Sequence, residues 1–175
     1  MSVDWQMGCA DALERIVQDH PFWRTYIANL PEKNNLHLAI FVEPYLSFIL
    51  DGRKTVESRF SSVRCAPYKR VLPGDIILLK QVSGPVVGIC RATSASYYEL
   101  DKARLLELKS RFSKMICPEN EKFWEDRARA SFATLITIAD VCQLVPFSVA
   151  KRDRRGWVTL VKWRESLCLS PQLSF

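Results

Sequence analysis

Residues 52–59, Gly52-Arg53-Lys54-Thr55-Val56-Glu57-Ser58-Arg59, decide how the rest of the chain is read. Gly52 closes the apolar stretch from Tyr45 to Leu50 and can adopt the positive φ that commonly ends a helix. Beyond it, Lys54, Glu57 and Arg59 crowd three charges into a short span, with a second apolar segment, Asp75 to Lys80, further on. Charges enclosed between two apolar segments need partners or a ligand. Side chains alternate across a strand, so if Thr55 to Phe60 is extended, Glu57 and Arg59 share a face. Lys54 joins them only if the turn at Gly52 re-aims it.

Upstream, Pro44 suits a first helical position, and Tyr45, Phe48 and Ile49 make one apolar face, which predicts a helix over Pro44 to Asp51. Leu36 to Val42 reads as a strand. Residues 3–30 read as two helices, with Trp5, Cys9, Ala12, Leu13, Ile16 and Val17 at three- and four-residue steps and Pro21 opening the second. Downstream, a basic loop over 61–71 leads into the Pro73-Gly74-Asp75 turn. Ile76 to Lys80 and Val86 to Ala92 then pair through the Ser83-Gly84-Pro85 hairpin. Asp101 caps a helix striped by Leu105, Leu108, Phe112 and Met115, Cys117-Pro118 ends it, and a second helix is expected over Glu119 to Ala130. Phe132 to Val141 and Trp157 to Val161 supply the last strands. Short strands with few helices argue against a doubly wound sheet and for an α+β fold, a small mixed β-barrel with flanking helices.

The octet G-x-K-x-x-E-x-R after a Pro-Tyr helix, the Pro-Gly-Asp turn about fifteen residues later, the hairpin after that turn and the closing strand near Trp157 together resemble the ASCH family, small barrels related to the PUA RNA-binding domain. The resemblance covers residues 36–162. It implies a PUA-like barrel there, with an N-terminal helical extension over 1–35 and a C-terminal tail over 163–175. It also implies a cleft in which Tyr45, Lys54, Glu57 and Arg59 meet RNA or a nucleotide. Arg59 can fork onto a phosphate, Lys54 adds a mobile charge, and Glu57 can accept from an exocyclic amine or act as a base. A structural ion pair between Glu57 and Arg59 is the alternative. Certain compact ASCH relatives are amidohydrolases that deacylate N4-acetylcytidine with a lysine, a threonine nucleophile and a glutamate. The lysine matches Lys54, but the threonine falls on Glu57, so the acyl-threonine step is not reproduced. If the chain is an enzyme, Lys54 and Glu57 are its catalytic candidates, with Glu99 or Glu107 as the further glutamate. The binding reading is therefore ranked ahead of the hydrolase, and whether there is catalysis stays open.

A net charge of +6 suits an anionic partner, because basic groups gain affinity by displacing counterions from phosphate. Two loops carry much of it: Arg64, Lys69 and Arg70 in one, and Lys151, Arg152, Arg154 and Arg155 in the other, beside Trp157. They read as a phosphate-tracking surface with an indole for base stacking, or as solvated turns beside a core tryptophan. The six cysteines form no C-x-x-C, and no histidine pair completes a zinc site, so neither metal nor cofactor is expected. Without a secretory signal or a spanning apolar run, the expected setting is the cytoplasm, with reduced thiols and no membrane partner. His20 and His37 read as structural. The N-terminal helices, with Trp5, Phe22 and Trp23, could cover the barrel, form a dimer contact or bind a protein partner, which keeps a protein-interaction domain as a third reading.

Overall fold

The structure, a computed structural model, describes residues 5–151, 154–160 and 163, with the side chains of residues 5–7 outside that description. Helices α1 (Trp5–Val17) and α2 (Pro21–Ala28) precede β1 (Leu36–Phe41), α3 (Tyr45–Leu50) and β2 (Val56–Ser61). The hairpin β3 (Ile76–Gln81) and β4 (Val86–Glu99) comes next, then α4 (Lys102–Ile116), α5 (Lys122–Glu125), β5 (Phe132–Phe147) and β6 (Trp157–Leu160). All six strands join one curled sheet, in the order β2-β5-β4-β3-β1-β6. Only β1 and β3 run parallel; the other neighbours are antiparallel. The result is an α+β mixed half-barrel with flanking helices, in keeping with the small mixed barrel expected from the sequence.

The strands bury both faces, and their alternation sorts side chains between two layers. Leu36 and Leu38 of β1, with Ile76 and Leu78 of β3, face a layer that includes Leu13, Val17, Trp23 and Ile27 of the two N-terminal helices. The intervening Ala39, Phe41, Ile77 and Leu79 face the barrel interior with Ile49, Cys90, Ile136 and Trp157. Trp23 and the other buried residues of α1 and α2 are therefore a packed cover, while Phe22 stays half exposed. Trp163, which the sequence pattern assigns to the tail, is buried in the same layer. A third cluster, Val56, Leu108, Ile116, Phe123, Trp124 and Leu135, fixes α4 and α5 against β2 and β5.

Curvature comes from the longest pair. The register between β4 and β5 shifts at Val86/Gly88, Ile89/Arg91 and Ala92/Ser94, and such bulges bend and twist a strand pair. These irregularities let β4 and β5 run well beyond the Ala92 and Val141 ends expected from local pattern. Two further expectations are corrected. Pro44 precedes α3 rather than opening it, since its carbonyl already accepts the first helical bond, from Phe48 N at 2.9 Å. The helix expected over 119–130 shrinks to the four residues of α5, because three-residue bonds such as Arg127 N to Trp124 O (3.1 Å) wind residues 126–129 into turns.

Inside the sheet, one buried polar network ties the start of β1 to the start of β3. Asp75 accepts from Asn34 Nδ2, Asn35 N, His37 Nε2 and Leu72 N at 2.8–2.9 Å. Trp157 Nε1 donates to His37 Nδ1 at 3.2 Å. An indole N–H can only donate, so Nδ1 is unprotonated and His37 is the neutral Nε2–H tautomer, aimed at Asp75. Burial pushes the Asp75 carboxyl up, but the donors from His37 and its neighbours outweigh it and bring it below its ordinary value.

Candidate functional site

Gly52 takes φ +79° after α3 and folds the chain back, so that Lys54 N donates to Phe48 O at 2.8 Å. Thr55 N is tied to Met115 O at 3.0 Å, beside the end of α4. That turn drives Lys54 inward, to 3 % exposure, although the next residue faces solvent. Its Nζ is ringed by Val56 O at 2.9 Å, Ile116 O at 3.1 Å and Glu57 Oε2 at 3.3 Å. Three acceptors match the three protons of an ammonium group. Burial nevertheless pulls the Lys54 pKa below its ordinary value, with Glu57 restoring part of the loss.

Glu57 is 5 % exposed and holds a cation on each oxygen, Lys54 on Oε2 and Arg59 Nε on Oε1 at 2.6 Å. Arg59 then reaches across the opening of the barrel. It starts from β2, one edge of the sheet, and its Nη2 donates to Ile40 O of β1 at 2.9 Å and its Nη1 to Gly156 O, just before β6, at 3.2 Å. Its guanidinium also lies over Phe41 (4.9 Å) and Trp157 (5.3 Å). The two edges of the half-barrel are thus joined by a side chain where main-chain pairing stops. A Cβ at Gly156 would stand 3.3 Å from Arg59 Nη1, so this approach favours glycine.

A cleft of about 520 Å³ opens at that seam. Lys54, Glu57 and Arg59 line it together with aromatic residues Phe41, Tyr45, Phe60 and Phe123, and with Asp126 and Arg127 on the turns after α5. Sequence reasoning misses Arg127. Its guanidinium carbon sits 3.4 Å from the centre of the Phe123 ring and 5.4 Å from that of Phe60, and Nη1 donates to Phe123 O at 2.6 Å. The four-residue spacing of Phe123 and Arg127 is the available signal, and it disappears into the expected helix.

The basic loops reach the same seam. Cys65, Ala66 and Pro67 of the first, with Gly156 and Trp157 beyond the second, line a smaller depression of about 160 Å³ that shares Arg59 and Phe60 with the cleft. Arg64, Lys69, Arg70, Arg154 and Arg155 are exposed and Lys151 is half-buried, while Arg152 lies outside the described residues. Arg64 pairs with Glu99 at 2.6 Å. Trp157 is only 2 % exposed and its indole edge is engaged by His37, so it is a core residue bordering the depression and does not offer an open stacking face. Glu99 and Glu107 do not line the cleft; Glu107 pairs with Arg104 and Arg111 on the outside of α4. The fold also brings His20 Nδ1 to 3.5 Å from Cys142 Sγ, but burial pushes that thiol up, which disfavours a nucleophilic thiolate. Among the described residues no group of histidines, cysteines and carboxylates is arranged to hold a metal, and no helix is long and apolar enough to cross a membrane.

No family model matches the sequence, and no curated protein matches it. Solved structures do. An ASCH protein from Zymomonas mobilis superposes with a TM-score of 0.60 at 16% identity, over 75% of this chain and 92% of that one. Two single-substitution variants of that protein, serine to alanine and tyrosine to phenylalanine, superpose equally well at 14% and 16% identity. The fold of this chain is the ASCH fold, so the resemblance drawn from the octet holds at the level of architecture.

Proposed function

We propose that this chain binds single-stranded RNA or a free nucleotide, seating one nucleotide in the seam cleft, with the carboxylate of Glu57 reading a base edge. The observation that carries this reading is the make-up of the cleft: aromatic rings and buried cations around a volume that suits one nucleotide, within the roughly 300–1,000 Å³ of ligand sites in general. Each Glu57 oxygen holds one cation and keeps lone-pair capacity for an exocyclic amine. The exposed basic loops around the adjoining depression offer a path for neighbouring phosphates.

Lys54 weighs against hydrolysis. A group with all three protons engaged has no lone pair for nucleophilic or base chemistry and no free N–H for a developing oxyanion. Its role in this reading is to fix Glu57. The test is fluorescence anisotropy with short single-stranded RNAs at low salt, alongside incubation with N4-acetylcytidine and chromatography of the products. The expected outcome is salt-sensitive RNA binding whose base preference changes in Glu57→Gln, with no deacylation. Rapid deacylation that disappears in Lys54→Ala would reverse the ranking of binder over amidohydrolase.

A further inference from the structure

Arg127 differs from the other two cations of the cleft in what it leaves unused. Lys54 has an acceptor for each proton, and Arg59 donates from all three of its nitrogens. Arg127 makes a single hydrogen bond among the described residues, from Nη1 to Phe123 O, and its buried Nε has no acceptor. No carboxylate of the described residues is ion-paired with it; Asp126, which is exposed, and Glu57 line the same cleft and act on it at longer range. A buried guanidinium N–H without a partner is costly, and a guanidinium held 3.4 Å from the centre of the Phe123 ring and tied to the Phe123 carbonyl has already lost much of its rotamer freedom. Such a group is preorganised for a planar or tetrahedral anion. Burial also lowers its hold on the proton, with Tyr45, Asp126 and Glu57 restoring part of the loss.

We infer that Arg127 is the anion anchor of the cleft, receiving a phosphate of the bound nucleotide, so that the site selects phosphorylated nucleotides over nucleosides. The inference rests on the nucleotide reading above and adds a ligand class and a residue to it. The fixed Arg127 holds the phosphate on the Phe123 side, and the base lies toward Glu57 in the same cleft.

The test compares nucleosides with their 3′- and 5′-monophosphates for each common base by calorimetry on the full chain. A charge-assisted bidentate contact predicts a monophosphate preference of about tenfold or more in the wild type. In Arg127→Gln the ratio falls to about one, and in Arg127→Lys, which keeps the charge but not the fork, it falls in between. Arginine Nε–H resonances of the wild type give a readout that needs no variant: the Arg127 signal shifts with monophosphate and not with nucleoside. A wild-type ratio of one, an unchanged ratio in Arg127→Gln, or a monophosphate that moves only the Arg59 signal overturns the inference while leaving nucleotide binding intact. If nucleosides, monophosphates and short RNAs all fail to bind, the nucleotide reading itself falls and takes this inference with it.

Discussion

Two buried polar clusters of this chain are built from similar parts and face different surroundings. Around Asp75, four donors meet one carboxylate and His37 relays to Trp157, all sealed among strands and the Pro73-Gly74 turn. Around Glu57, two cations meet one carboxylate lining an open cleft, and a third cation, Arg127, stands nearby with no carboxylate at ion-pair distance among the described residues. Burial and a carboxylate held by several donors are common to both. What separates scaffold from candidate site is surplus hydrogen-bonding capacity that borders empty space.

The largest expected effect falls on the sealed cluster. Asp75→Ala strands the buried His37 Nε2–H and takes one acceptor from Asn34 Nδ2, Asn35 N and Leu72 N, which should cost about 3–5 kcal/mol by urea unfolding while RNA affinity of the folded fraction stays the same. A loss below about 1 kcal/mol would mean the cluster is wetter than its burial implies, and the contrast with Glu57 would collapse. The same carboxylate sets an acid limit. Because its folded pKa is held below the ordinary value of 3.8, its contribution is complete above that value and is lost as pH falls through the lower, folded one. Wild-type stability should therefore decline below about pH 4, and more steeply than in Asp75→Asn.

Lys54→Met comes next. It frees the Val56 and Ile116 carbonyls and one Glu57 oxygen, but water from the cleft can reach part of that space, so about 1–3 kcal/mol is expected. RNA binding should vanish with it. Binding that survives per folded molecule would make Lys54 as purely architectural as His37. The smallest effect belongs to the surface: reversing Arg154 and Arg155 to Glu should flatten the slope of log affinity against log salt by about one to two units, at roughly 0.7 per phosphate contact. It should weaken all RNA sequences alike. A slope that does not change would remove this loop from the nucleic-acid surface.

The contrast between the clusters is only half legible in the sequence. Gly52, the alternation of Glu57 and Arg59, and the Pro73-Gly74-Asp75 turn are local signals, and they are enough for the octet, the hairpin and the barrel class. Asp75 itself reads merely as part of a turn, because its partners His37 and Asn34 come from a strand start about forty residues away. The β4/β5 bulges that curl the sheet depend on how two strands far apart in sequence pair, and have no mark in residue pattern. Arg127 falls without distinction inside the helix expected over Glu119 to Ala130, since nothing local announces that the chain after Trp124 tightens into turns.

The strut made by Arg59 has a consequence for how such a fold can diversify. Neighbouring strands joined by main-chain rungs are held about 4.8 Å apart, and widening them breaks every rung at once. A guanidinium on a flexible stem imposes no such ruler: here it reaches from one rim to two carbonyls on the other and leaves room beside it. Residues along the two rims can therefore be exchanged, and the aperture resized for a different guest, without disturbing the ladder that supports the remainder of the wall. Arg59 is a keystone set in a doorway, and the masonry behind it is independent of the door's width.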